Sequence, residues 1–160
     1  MSTGDGEDLP FCGGSIITAR HVLTAAHCTY DRFISSVKYP SSLQVIVGEH
    51  DVEDTIAADR FDVSNIENHP DFVYSTLQYD ISILTLATRI TFSSTASPVC
   101  LPTLPDDSFY PDYTGVTATV TGWGDTSTGG ASSSYLQEAE VIVTSNEECD
   151  SAYQKEIDGY

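Results

Sequence analysis

The sequence predicts an all-β protein, built as a sandwich or a barrel. Three observations carry that prediction. Short runs rich in Val, Ile and Thr recur along the chain, turn-forming residues separate several of them, and no long stretch has a convincing helical period. The first runs, 11–18 and 22–26, hold Ile16-Ile17-Thr18 and Val22-Leu23-Thr24. In 43–48, Leu43, Val45 and Val47 partly alternate with their neighbours, as half-buried strands do. The runs 61–67 and 80–86 follow, the latter opening on Asp80 and continuing Ile81-Ser82-Ile83-Leu84-Thr85-Leu86. Thr117-Ala118-Thr119-Val120-Thr121 partly alternates within 117–122, and 136–143 closes the series. One short helix is expected over 146–153. Ser145 or Asn146 would cap it, with Glu147 and Glu148 in its first turn facing the positive end of the dipole.

Two units are expected. Pro98-Val99-Cys100-Leu101-Pro102 and the polar stretch 106–113 read as a connection, giving units 1–103 and 104–160. The small polar residues of 127–134 suggest a surface loop.

At 160 residues and 40% hydrophobic content, the chain has the composition of a globular protein with a sizeable core. Its 24 acidic and 6 basic residues give a formal net charge of −18. Such a surface repels phosphate backbones, which argues against nucleic acid as a partner. An anionic membrane surface is equally disfavoured, and no apolar window is long enough for a spanning helix. Residues 1–10 have no basic start and no apolar centre, so they do not read as a secretory signal. The cysteines point the other way. Cys12 and Cys28 close a short loop between two strand-like runs, as a disulfide of an oxidising compartment would.

Chemistry enters at Thr24-Ala25-Ala26-His27-Cys28. A serine hydroxyl is a weak nucleophile until an imidazole takes its proton. A carboxylate must hold that imidazole in the right tautomer and stabilise the imidazolium. His27 and Asp80 are candidates for these two roles, in one of the known chain orders for such a triad.

The surrounding motifs carry a resemblance. They are Phe11-Cys12-Gly13-Gly14-Ser15, Leu23-Thr24-Ala25-Ala26-His27-Cys28, Val47-Gly48-Glu49-His50, Asn68-His69-Pro70-Asp71-Phe72 and Tyr79-Asp80-Ile81-Ser82-Ile83-Leu84. Val99-Cys100-Leu101-Pro102, Val120-Thr121-Gly122-Trp123-Gly124 and Ser145-Asn146-Glu147-Glu148-Cys149 continue the series. In this order, the chain resembles the chymotrypsin/trypsin family of serine endopeptidases. The resemblance implies a trypsin-like double β-barrel, here most of the first barrel and the start of the second. It implies His27 as general base, Asp80 as orienting acid and a Cys12–Cys28 disulfide. It implies polypeptide substrates, protein protease inhibitors as further partners, and a secreted protein. The alternative is a homologue without catalysis, acting as a secreted binding or regulatory module.

The chain also departs from the family. The Gly-Asp-Ser-Gly-Gly segment that brings the nucleophile and oxyanion donors is not among these residues, nor is the Ile-Val-Gly-Gly start with its first strand. A chain incomplete at both ends is therefore expected. Gly124-Asp125-Thr126-Ser127-Thr128-Gly129-Gly130 shares letters with the nucleophile segment, but it falls in what the family makes a surface loop. Cys100 and Cys149 match family cysteines whose partners lie elsewhere. No metal or organic cofactor is expected for catalysis. The acidic stretch from Glu49 to Asp59, with Asp51, Glu53 and Asp54, matches a loop that binds structural Ca²⁺ in some members, although Ile56 stands where such members often carry another acid.

Overall fold

The computed structural model describes residues 2–3, 10–53, 58–102 and 112–157. The chain divides into two compact units, Met1–Leu101 and Pro102–Tyr160.

The first unit contains β1 (Ser2–Thr3), β2 (Ser15–Ile16), β3 (His21–Thr24), β4 (Tyr30–Asp31), β5 (Ser36–Val37), β6 (Leu43–Val47), β7 (Asp59–Asn68) and β8 (Ser82–Leu86). Six of these form one antiparallel sheet in the order β1-β6-β7-β8-β3-β2. The sheet is a curled half-barrel, as a trypsin-like β-barrel requires. Period-two patterning explains which face is covered. Along β6, Leu43, Val45 and Val47 are buried while Gln44 and Ile46 are only half so. β8 repeats the pattern with Ser82, Leu84 and Leu86. The apolar ones among these join Val22, Cys28, Val63, Ile90 and Ala96 in one core. Burying each of the leucines stabilises the fold by roughly 1.5–3 kcal/mol. A bulge in β7 between Val63 and Asn65 shifts its register against β8, and such an extra residue bends a strand.

Close packing admits only glycine at position 14. A Cβ there would meet Val22 Cγ1 at 2.8 Å and the Leu23 carbonyl oxygen at 3.0 Å. The Thr24 hydroxyl also donates to the Gly13 carbonyl at 2.8 Å. Together these draw the segment carrying Cys12 against β3.

The second unit holds an antiparallel ribbon and a helix. β9 (Thr117–Gly122) pairs with β10 (Gln137–Ile142) from Thr117↔Ile142 to Gly122↔Gln137. Ala118 and Val120 thus face Val141 and Ala139 across the ladder, and Val120 and Val141 remain exposed. Helix α1 (Asn146–Ile157) starts with a capping box. Glu148 N–H donates to Ser145 Oγ and Ser145 N–H to Glu148 Oε2, both at 3.2 Å.

The strands differ from expectation mainly at their ends. The run 11–18 yields only Ser15–Ile16, and 22–26 stops at Thr24 because a 3-10 turn, Ala26–Thr29, begins beyond it. The run from Asp80 becomes a strand only at Ser82, since Ile81 N–H bonds to the Tyr79 carbonyl instead of a neighbouring strand. Two pairings were not expected: the β4–β5 ribbon, and Ser2–Thr3 along the β6 edge. No helix among the described residues is long and apolar enough to cross a membrane.

Candidate active site

The β3–β8 register builds the site. Thr24 pairs with Ser82 at one end of the antiparallel ladder. The chain leaving β3 and the chain entering β8 therefore emerge side by side. Ala25 is extended and leads into the 3-10 turn Ala26–Thr29, which carries His27. That turn is held from below. Thr29 is fully buried, and its hydroxyl donates to the Ala26 carbonyl or to Asn68 Oδ1, 2.9 and 2.7 Å away. It is also held from the side by the Cys12–Cys28 disulfide, which closes a sequence separation of 16. The position of residue 27 is thus set by the sheet, a buried hydroxyl and a covalent link.

Asp80 arrives from the other side and grips residue 27 twice. Its Oδ1 accepts the His27 backbone N–H at 2.7 Å, and its Oδ2 lies 2.6 Å from His27 Nδ1. The carboxylate is the more enclosed partner, its side chain 20% exposed against 46% for the imidazole. Burial pushes the Asp80 carboxyl up, but the hydrogen bond from the His27 ring, its backbone N–H, its charge and the Ala26 N–H together hold it below the ordinary carboxylate value. An ionised Asp80 accepts and cannot donate, so the proton of a neutral His27 sits on Nδ1. The lone pair is then left on Nε2. That nitrogen abuts Cys28 Sγ at 3.4 Å. A histidine held in this tautomer is equipped to take a proton from a hydroxyl.

Cys12, His27 and Cys28 bring three potential metal-binding atoms within 4.8 Å of one another. The two sulfurs are joined to each other, however, so neither is a thiolate able to bind a metal. Ser127 sits in the loop between β9 and β10, where its carbonyl accepts the Gly130 N–H at 2.9 Å. All four histidines of the chain, His21, His27, His50 and His69, belong to the first unit. Cys100 and Cys149 are free and exposed. In the acidic loop, Glu49 Oε1 accepts from the His50 and Asp51 N–H groups, while its Oε2 is buried without a partner among the described residues. Asp54 and Ile56 lie outside the described residues.

Sequence reasoning placed His69 and Tyr79 in motifs but gave neither a role at the site. His69 and Tyr79 stack with ring centroids 4.7 Å apart. Their visible signals are the motif 68–72 around His69 and Tyr79's place immediately before Asp80.

The first unit is thus a curled antiparallel sheet that presents a carboxylate-bound histidine at one end of its β3–β8 ladder. The Trypsin family model matches residues 2–159, and the chain belongs to that family, whose members are serine endopeptidases. Among curated relatives it is 35% identical over 150 residues to the proclotting enzyme of Tachypleus tridentatus, covering 91% of this chain and 39% of the relative. It is 36% identical over 153 residues to trypsin-1 of Astacus astacus, covering 92% and 59%. It is 33% identical over 148 residues to a venom serine protease of Polistes dominula, covering 89% and 50%. The chain thus spans about 39% to 59% of the length of these relatives.

Proposed function

We propose that this chain carries the proton-handling half of a serine endopeptidase. His27 is the general base and acid, and Asp80 orients it and stabilises its charge. The nucleophilic serine and the oxyanion donors come from sequence outside these 160 residues. The observation that supports this reading best is the double grip of Asp80 on residue 27, at 2.7 and 2.6 Å.

The chemistry follows from that geometry. Nε2 accepts the proton of the attacking hydroxyl as the acyl bond forms, then delivers it to the leaving amine. Asp80 remains ionised throughout and offsets the imidazolium charge. The same nitrogen next activates water to release the acyl group. No metal or organic cofactor is needed for these steps. A calcium ion in the Glu49–Asp59 loop would be structural. Glu49 Oε2, buried without a partner among the described residues, supports such a ligand there.

Polypeptides are the substrates on this reading, with protein protease inhibitors as their competitors. Secretion is supported by the Cys12–Cys28 disulfide, which belongs in an oxidising compartment.

The test uses the complete protein that contains this chain. Casein cleavage and labelling by a serine-directed fluorophosphonate are measured for the native protein, His27→Ala and Asp80→Asn. Cleavage and labelling by the native protein are expected, with Asp80→Asn lowering kcat by about 10⁴-fold. A folded protein that neither cleaves nor labels would select the second reading, a secreted binding module. The half-exposed, carboxylate-bound imidazole favours catalysis over that reading, since binding alone needs no positioned base.

A further inference from the structure

We propose that His69 and Tyr79 are positioning residues for Asp80, clamping the backbone on both sides of it so that its carboxylate is aimed at His27. The proposal rests on the reading of His27 and Asp80 given above, and deepens it.

Tyr79 has φ of 55°, in the left-handed region. A bulky side chain rarely adopts that conformation, and where one does, the surroundings must impose it. Leu77, two residues earlier, has φ of 54°. This backbone leads into a tight reversal, in which Ile81 N–H donates to the Tyr79 carbonyl at 2.8 Å. Asp80 is the central residue of that three-residue turn. Its direction is therefore set by what holds residues 79 and 81.

His69 holds both. Its ring stacks on the Tyr79 ring with planes 11° apart. Its backbone N–H donates to the Ile81 carbonyl at 3.0 Å. His69 is itself fixed. It follows directly on β7, whose last residue, Asn68, pairs with Ser82. It then opens a turn with Pro70 in second place, closed by Phe72 N–H donating to the His69 carbonyl at 3.0 Å. The Asp71 N–H donates to His69 Nδ1 at 3.1 Å, which orients the ring. Farther along the same loop, Phe72 and Tyr74 pack on Tyr30, three residues past His27. One loop thus touches the segments carrying both members of the dyad.

The stack adds little to the core, because Tyr79 is 58% exposed. An exposed tyrosine on strained backbone, stacked on a half-buried histidine beside the carboxylate, is explained by aim.

The experiment is proton NMR on the complete protein that contains this chain. The His27 Nδ1 proton, held in a short bond to Asp80 Oδ2, resonates far downfield, and Asp80→Asn assigns it by abolishing it. The variants are His69→Ala, Tyr79→Ala, and the ring-retaining His69→Phe and Tyr79→Phe. Both alanine variants are expected to lose or broaden the signal, or to shift the acid midpoint of its disappearance upward by about 1 pH unit. Both phenylalanine variants are expected to keep it. Amide signals of β6 and β8 report whether each variant is folded. Folded alanine variants with an unchanged signal and midpoint would overturn the proposal. Should they fail to fold, Tyr79→Gly decides by the same readouts, because glycine accepts the left-handed backbone without the ring. A native chain with no downfield signal would overturn the dyad reading itself, and the clamp with it.

Discussion

Asp80 is subject to two opposing pulls, and the outcome fixes its pH behaviour. Burial raises its pKa, while the His27 bonds and the Ala26 N–H lower it further, leaving it below the ordinary 3.8. The unfolded chain therefore binds this proton first as pH falls. The stabilisation from the pair is fully present above the ordinary carboxylate value and is lost as pH falls through the lower folded value. The thermal midpoint of the native chain should drop as pH falls below about 4, and Asp80→Asn should lessen that drop. Gly14 is a second sensitive position. A methyl there strikes Val22 and the Leu23 backbone, so Gly14→Ala should cost about 1–3 kcal/mol in urea unfolding. At this scale the His27–Asp80 pair was legible, because its flanking residues form motifs. Tyr79 was not. Nothing in the local sequence favours a tyrosine at positive φ, and its partner His69 lies on a different strand exit.

Elements were legible where side-chain alternation covers several residues. Leu43–Val47 and Ser82–Leu86 each bury every second residue, and both runs were readable for that reason. Tyr30–Asp31 and Ser36–Val37 were not, since two residues carry no period. Strand ends were misplaced where backbone groups found partners outside a ladder, as at Ile81 and in the Ala26–Thr29 turn. Helix α1 was expected to stop at 153, and it runs to Ile157. Its capping box gives a local prediction. Ser145→Ala should lower helix stability by about 1 kcal/mol, read as lost helical circular dichroism with no change in the β6 and β8 amide signals. The disulfide acts at larger reach. Opening the Cys12–Cys28 loop by paired Cys→Ala substitution should cost about 3 kcal/mol, measured by denaturant unfolding.

For the molecule as a whole, charge and exposed apolar surface pull in opposite directions. A net charge of −18 keeps copies apart at low salt. Val120 and Val141 stand exposed on the β9–β10 ribbon, which invites pairing between copies. Screening shortens the repulsion to about 10 Å at 0.1 M salt, so the apolar term should win as salt rises. Sedimentation of the 160-residue chain should show self-association that grows with sodium chloride, and Val120→Glu should weaken it. A monomer at every salt concentration would contradict this account.

The pairing of Thr24 with Ser82 has one more consequence. His27 and Asp80 hang from adjacent strands of a single sheet, so their mutual placement is decided within that sheet alone. On the proposed reading, the dyad is an autonomous cassette. A polypeptide bearing the reactive alcohol need not share a peptide bond with it, and reconstitution from two separate chains becomes a practical route to a split enzyme.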